Sequence, residues 1–206
     1  MSQTPVLAAM IPVIETLDRL AIDYYIGGAV ASLAHGIYRT TADVDIIAEI
    51  PAELVQAFVQ SLQETYYVDA DMIQDAIKHR SEFNVIHLDT MFKVDIFLPK
   101  RRPFDQAVRQ RVQKSELKIL EERSVFNMES PEDVILTKLE WYKMGAGVSD
   151  RQWSDILGVL KVQRQQLDLE YLRHWAAEID VAGLLTRSLH QAGFPGFNNE
   201  DTSRRC

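Results

Sequence analysis

The chain has 206 residues, 22 of them basic and 30 acidic, for a net charge of −8 and an apolar fraction of 47%. That balance suits a globular chain long enough for one full domain plus a small appendage, and it argues against a broad nucleic-acid-binding surface. Charges break every apolar run before membrane-spanning length, and the lone cysteine, Cys206, excludes an internal disulfide and a cysteine-built zinc site.

In chain order, Val6, Met10, Val13, Ile14, Leu17 and Leu20 share one helical face, which predicts an amphipathic helix over 6–21. A strand at 23–26 leads into Gly27-Gly28, and a short helix runs from Gly28 to Gly36 with Val30, Leu33 and Ala34 inward. Arg39-Thr40 sits in the loop before a strand at 43–48. Pro51 opens a helix that buries Leu54, Phe58 and Leu62, since proline is well tolerated in a first turn. Asp71 is expected to cap a short helix through Lys78. A hairpin follows, 84–88 and 91–97, joined near Asp89-Thr90. Its second arm places Lys93 and Asp95 on one face and Val94 and Ile96 on the other.

Seven basic residues (Lys100, Arg101, Arg102, Arg109, Arg111, Lys114, Lys118) stand between 100 and 118, beside Asp105 and Glu116. They form either a solvated run or a contact with substrate phosphates. A short helix through about Val108 and two short strands, near 117–120 and 125–128, complete this part. Composition then turns helical. Ser130 caps, Pro131 takes the first position, and Glu132 and Asp133 favour the positive end of the dipole. That helix runs to Lys143 or Met144. Gly145 and Gly147 break it, Ser149 or Asp150 starts the next through Lys161, Asp168 caps a third, and a fourth begins near Asp180. The expected organisation is a sheet-bearing domain over 1–129, a helical region over 130–192 and a frayed tail over 193–206. The opening residues have no basic leader, so no signal peptide is expected, and cysteine usage fits a reducing cytoplasm. The five histidines stand in no metal-binding spacing.

The chemistry concentrates between Tyr25 and Ile47. Glycines between a strand and a helix let a ligand approach the backbone closely and aim free N–H groups at it. Asp43 and Asp45, two apart in a strand, point to the same side. Two adjacent carboxylates need compensation, and a divalent cation with oxygen ligands is the usual one. The order Gly27-Gly28, helix, Arg39-Thr40, Asp43-Val44-Asp45 and then Lys93-Val94-Asp95 resembles the nucleotidyltransferase superfamily of DNA polymerase β. Asp133 through Lys138 and Arg151 through Asp155 make it look like the AbiEii-type branch, which includes toxins of bacterial toxin–antitoxin pairs. The resemblance covers roughly Ile22 to Leu160.

The resemblance implies an α/β fold, a small mixed sheet flanked by helices with a C-terminal helical bundle. It implies transfer of a nucleoside monophosphate from a triphosphate to a hydroxyl of an RNA, a protein or a small molecule. Asp43, Asp45 and Asp95 would hold Mg²⁺ or Mn²⁺, and Asp95 would help deprotonate the acceptor. Gly27, Gly28, Lys93 and Lys138 would bind the nucleotide, with Lys138 either reaching the triphosphate or extending to water. Arg39 would neutralise phosphate charge or pair with an aspartate. Thr40, Arg151 and Asp155 fall at the site edge, although Arg151 and Asp155 alone predict an ordinary ion pair one helical turn apart. An antitoxin partner belongs to the same implication, and no membrane partner does. Many members carry Ser where this chain has Gly28, so the grip on phosphate would rest on backbone and basic groups. The other class of reading is a catalytically silent module that binds nucleotide or protein with the same fold.

Overall fold

A computed structural model describes residues 4–37, 40–41, 43–120 and 122–196. The first helix, α1 (Pro5–Arg19), buries Leu7, Met10, Val13 and Leu17 and leads to β1 (Tyr24–Ile26). The short α2 (Gly28–Ala34) returns the chain to β2 (Asp43–Ala48). A 3₁₀ turn at Ala52–Leu54 enters α3 (Val55–Leu62), so the single helix expected from Pro51 opens with a tighter turn. Then come β3 (Tyr66–Tyr67), α4 (Ala70–His79), β4 (Glu82–His87), β5 (Phe92–Phe97), α5 (Pro103–Gln110), β6 (Gln113–Ile119) and β7 (Glu122–Met128). The helical remainder is α6 (Pro131–Met144), α7 (Asp150–Val162), α8 (Leu169–Glu178) and α9 (Ala182–Gln191).

The strands form one mixed sheet in the order β3-β4-β5-β2-β1-β7-β6. Alternation along β2 decides the layers. Val44 and Ile46 turn to a core shared with α1, α3 and Val94 and Ile96 of β5. Asp43, Asp45 and Ile47 turn the other way, toward the helical region. There a second core joins Tyr25, Ala31, Phe104 and Val108 to Val134, Leu139, Ile156, Leu172 and Leu185. Residues on both sides of position 129 therefore build it.

Three local expectations change. Asp69, not Asp71, caps α4, its carboxylate accepting the Met72 N–H at 2.9 Å. The strands near 117–120 and 125–128 are longer and pair as a hairpin from Gln113↔Met128 to Ile119↔Glu122. Phe194, read as tail, is buried in the second core, and the Gly193 carbonyl accepts a hydrogen bond from Arg164. Residues 197–206 of that tail lie outside the described residues.

Candidate active site

Strand pairing, not sequence proximity, assembles the acidic face. β2 and β5 run parallel, with Asp45 directly beside Asp95 and Asp43 beside Lys93. β1 runs antiparallel to β2 and leads into Gly27, whose N–H donates to the Asp45 carbonyl at 3.0 Å. Three carboxylates thus share one sheet face under the glycine turn. Thr41 donates its hydroxyl to Asp43 Oδ1 at 3.1 Å and so fixes the start of β2.

The glycine turn closes around Asp45. Gly28 has φ +56, and a Cβ there would sit 1.7 Å from Asp45 Oδ2. Asp45 Oδ2 accepts the Ala29 N–H at 3.3 Å. Burial pushes the Asp45 carboxyl up to about 6; neighbouring Asp43 and Asp95 push the same way, while the Ala29 N–H and Lys138 oppose them. Gly27 has ordinary extended backbone, yet a Cβ on it would press on Ile47 at 3.0 Å and on the Glu129 carboxyl at 3.2 Å.

The two lysines pair differently. Lys93 Nζ lies 2.8 Å from Asp95 Oδ2 with its own side chain 45% exposed, so this pair is open to exchange with a ligand. Lys138, mid-helix in α6, is buried and holds Asp155 Oδ2 at 2.9 Å. The lysine does not extend to water. Asp155, expected to meet Arg151 one turn earlier, has this contact 17 residues back in the chain.

A cleft of about 680 Å³ opens between the sheet face and α6–α7. Gly28, Asp43, Asp45, Lys138, Arg151 and Asp155 line it, together with Glu129 and Trp141. Asp95 and Lys93 stand beside it without lining it. Thr40 is exposed in the loop before β2, and Arg39 lies outside the described residues.

No group of three or more His, Cys, Asp or Glu among the described residues is arranged to hold a metal ion. As the side chains stand, Lys93 engages Asp95 Oδ2 and the Ala29 N–H engages Asp45 Oδ2. The donor chemistry nonetheless fits a hard divalent cation, since the face offers carboxylate oxygens and Asp45 is under-compensated.

Sequence reasoning missed Glu129. It follows β7, pairs its N–H with the Ile26 carbonyl at 3.0 Å, and stands 2% exposed in the cleft wall. The signal was a lone acid ending an apolar strand just before the Ser130-Pro131 cap. Its place beside Gly27 depends on the parallel pairing of β1 with β7.

The aromatic residues of α6 and α7 divide. Tyr142 is buried and stacks with Trp153, their ring centroids 4.9 Å apart, whereas Trp141 lies against Phe97 on the cleft wall.

No protein-family model matches the sequence, and no curated protein matches it. Solved structures do match. The solution structure of the antibiotic-resistance factor ANT(2'')-Ia superposes with TM-score 0.56 at 14% identity, covering 92% of this chain and 99% of that one. The crystal structure of ANT(2'')-Ia with adenylyl-2''-tobramycin gives 0.56 at 13%, covering 86% and 98%. An antigenic nucleotidyltransferase-like protein from Paracoccidioides brasiliensis gives 0.50 at 18%, covering 89% and 92%. This chain therefore has a nucleotidyltransferase-like α/β fold, with a seven-stranded mixed sheet flanked by helices.

Proposed function

We propose that the protein is a nucleotidyltransferase that moves a nucleoside monophosphate from a triphosphate to a hydroxyl, with Mg²⁺ or Mn²⁺. The observation that carries this reading is the register: Asp43, Asp45 and Asp95 share one face, beneath Gly27-Gly28, beside a cleft. The fold likeness supports it.

Asp43 and Asp45 would hold the cation, and Asp95 would join them by giving up Lys93. Once bound, the ion would offset negative charge on the phosphate oxygens. Lys138, held by Asp155, supplies a fixed positive charge beside Asp45. The acceptor oxygen attacks the α-phosphorus, the bond to pyrophosphate breaks, and Asp95 takes the hydroxyl proton. Lys93, next to Asp95, steadies that carboxylate until substrate arrives.

The acceptor is a small molecule in this reading. Arg101 pairs with Glu49, Arg102 with Asp105 and Glu140, Arg109 with Asp23, and Arg111 with Glu132. Four of the seven basic residues between 100 and 118 are thus already engaged, which leaves little of that stretch to track an RNA backbone. A second hollow of about 600 Å³ shares Tyr25, Ile47, Pro99 and Asp105 with the cleft and gives an acceptor room. The likeness to ANT(2'')-Ia, seen with adenylyl-2''-tobramycin, points the same way. A toxin role and an antitoxin partner rest on motif order alone. No helix among the described residues is long and apolar enough to cross a membrane.

The test is pyrophosphate release from each triphosphate with Mg²⁺, offered hydroxylated small molecules or total RNA. Asp95→Ala should keep most of the triphosphate affinity and lower turnover by several orders of magnitude. Equal binding by wild type and variant, with turnover in neither, would identify a silent module. Absence of triphosphate binding to the wild type with Mg²⁺ would sink the proposal.

A further inference from the structure

Glu129 is buried without enough partners. Its Oε1 accepts the Thr137 hydroxyl at 3.4 Å, and its Oε2 has no hydrogen-bond partner among the described residues. A buried polar atom left unsatisfied destabilises the fold. Its backbone, by contrast, is fully engaged: the N–H meets Ile26, and the carbonyl meets His35 Nε2 at 2.7 Å. The side chain is held in place from behind, in the wall of the cleft, with Gly27 beside its carboxyl.

We propose that Glu129 binds the nucleotide directly, donating a hydrogen bond from Oε2 to a phosphate oxygen lodged over Gly27. This rests on the nucleotidyltransferase reading above. The ligand class follows from the carboxyl's surroundings. Burial, then Asp133 and Asp45, push Glu129 up, Lys138 and the Thr137 hydroxyl only partly offset them, and the net result is about 8. That direction favours the neutral carboxyl, which has an O–H to give. Thr137 donates to Oε1, which leaves Oε2 to hold the proton. A neutral donor in a cleft wall otherwise rich in carboxylates selects an acceptor, and phosphate oxygens are strong ones. A Cβ on Gly27 would press on the Glu129 carboxyl at 3.2 Å, so a side chain there would obstruct this group.

Glu129→Gln and Glu129→Met separate this from the alternatives. Gln keeps a neutral donor, whereas Met keeps the length and removes the polar atoms. Titration calorimetry with a non-hydrolysable triphosphate and Mg²⁺ reads affinity, and thermal unfolding of the ligand-free chain reads stability. Gln should bind within about threefold of wild type, and Met should lose about tenfold or more, the scale of one hydrogen bond to a charged oxygen. The ligand-free Met variant should melt at or above the wild-type temperature, because an unsatisfied buried group is gone. A Met variant that binds like wild type would overturn the inference. So would one that melts lower as it loses binding, which would make Glu129 a structural residue. A Gln variant as weak as Met would show that the ionised carboxylate is needed, as for a cation ligand, and would overturn the donor role. No binding by the wild type would remove the nucleotide reading itself.

Discussion

Two sets of acids at the junction of sheet and helices, Glu132 with Asp133 and Asp45 with Glu129, are treated oppositely. Glu132 and Asp133 open α6 with every carboxylate oxygen engaged. Glu132 accepts from Arg111 Nη2 at 3.0 Å and from the Asp168 N–H at 2.8 Å. Asp133 accepts from the Ser130 hydroxyl at 2.6 Å and the Tyr171 hydroxyl at 2.7 Å, while the Arg111 guanidinium lies 4.0 Å from the centre of the Tyr171 ring. Burial raises the Asp133 carboxyl, and the Ser130 and Tyr171 hydroxyls and Arg111 pull it back. Asp133 stays raised all the same, and so do Asp45 and Glu129; what sets the latter two apart is how few partners they have. Burial alone does not mark a site. Acids with all their partners tie α6 to α8, whereas Asp45 and Glu129, with few, line the cleft.

Removing the partner of the satisfied pair should have the largest effect on stability. Arg111→Met would strand Glu132 and Asp133 in a dry setting, so we expect a loss of about 2–4 kcal/mol in urea unfolding. A loss under about 0.5 kcal/mol, the range of an ordinary surface change, would break the contrast.

The opposite sign is expected on the cleft face. Asp45 has its folded value raised from 3.8 to about 6, so its contribution to stability is full below 3.8 and is lost as pH rises through about 6. Asp45→Asn should therefore stabilise the metal-free protein at pH 7 by about 1–2 kcal/mol, with little difference at pH 4. Mg²⁺ should raise the melting temperature of the wild type and not of this variant. A variant less stable than wild type at pH 7 would mean that Asp45 is structural. A Mg²⁺ shift that survives would place the ion elsewhere.

The smallest effect sharpens the comparison within the satisfied pair. Tyr171→Phe deletes one of several bonds to Asp133, and a loss of about 1–2 kcal/mol is expected. Arg111→Met and Tyr171→Phe should not add, because both act on one carboxylate.

Much of the sheet was legible because its motifs are local. Gly27-Gly28, the Asp43–Ala48 strand and the hairpin ending in Lys93-Val94-Asp95 all follow from alternation and turn residues within a few positions. The N-caps at Ser130, Ser149 and Asp168 were legible for the same reason. Long-range pairing was not. Lys138 with Asp155 replaced an expectation drawn from helical spacing, and Arg101, Arg102, Arg109 and Arg111 found carboxylates from 3 to 86 residues away. Glu129 acquires its meaning only when β7 is laid beside β1. Asp69 displaced Asp71 as a cap because either acid can serve, and the extended backbone before α4 selected the earlier one.

The fit of Gly28 against Asp45 has a consequence for changing this protein stepwise. With the backbone in the left-handed region and no room for a Cβ, a serine at position 28 cannot enter while Asp45 keeps its place. Shortening or moving Asp45 first would dismantle the acidic face. The two positions are therefore epistatic: a lineage or a library that samples them one at a time meets a valley in either direction. A phosphate-gripping hydroxyl beside this aspartate would have to arrive with a reshaped turn, as an exchanged segment and not as a point substitution.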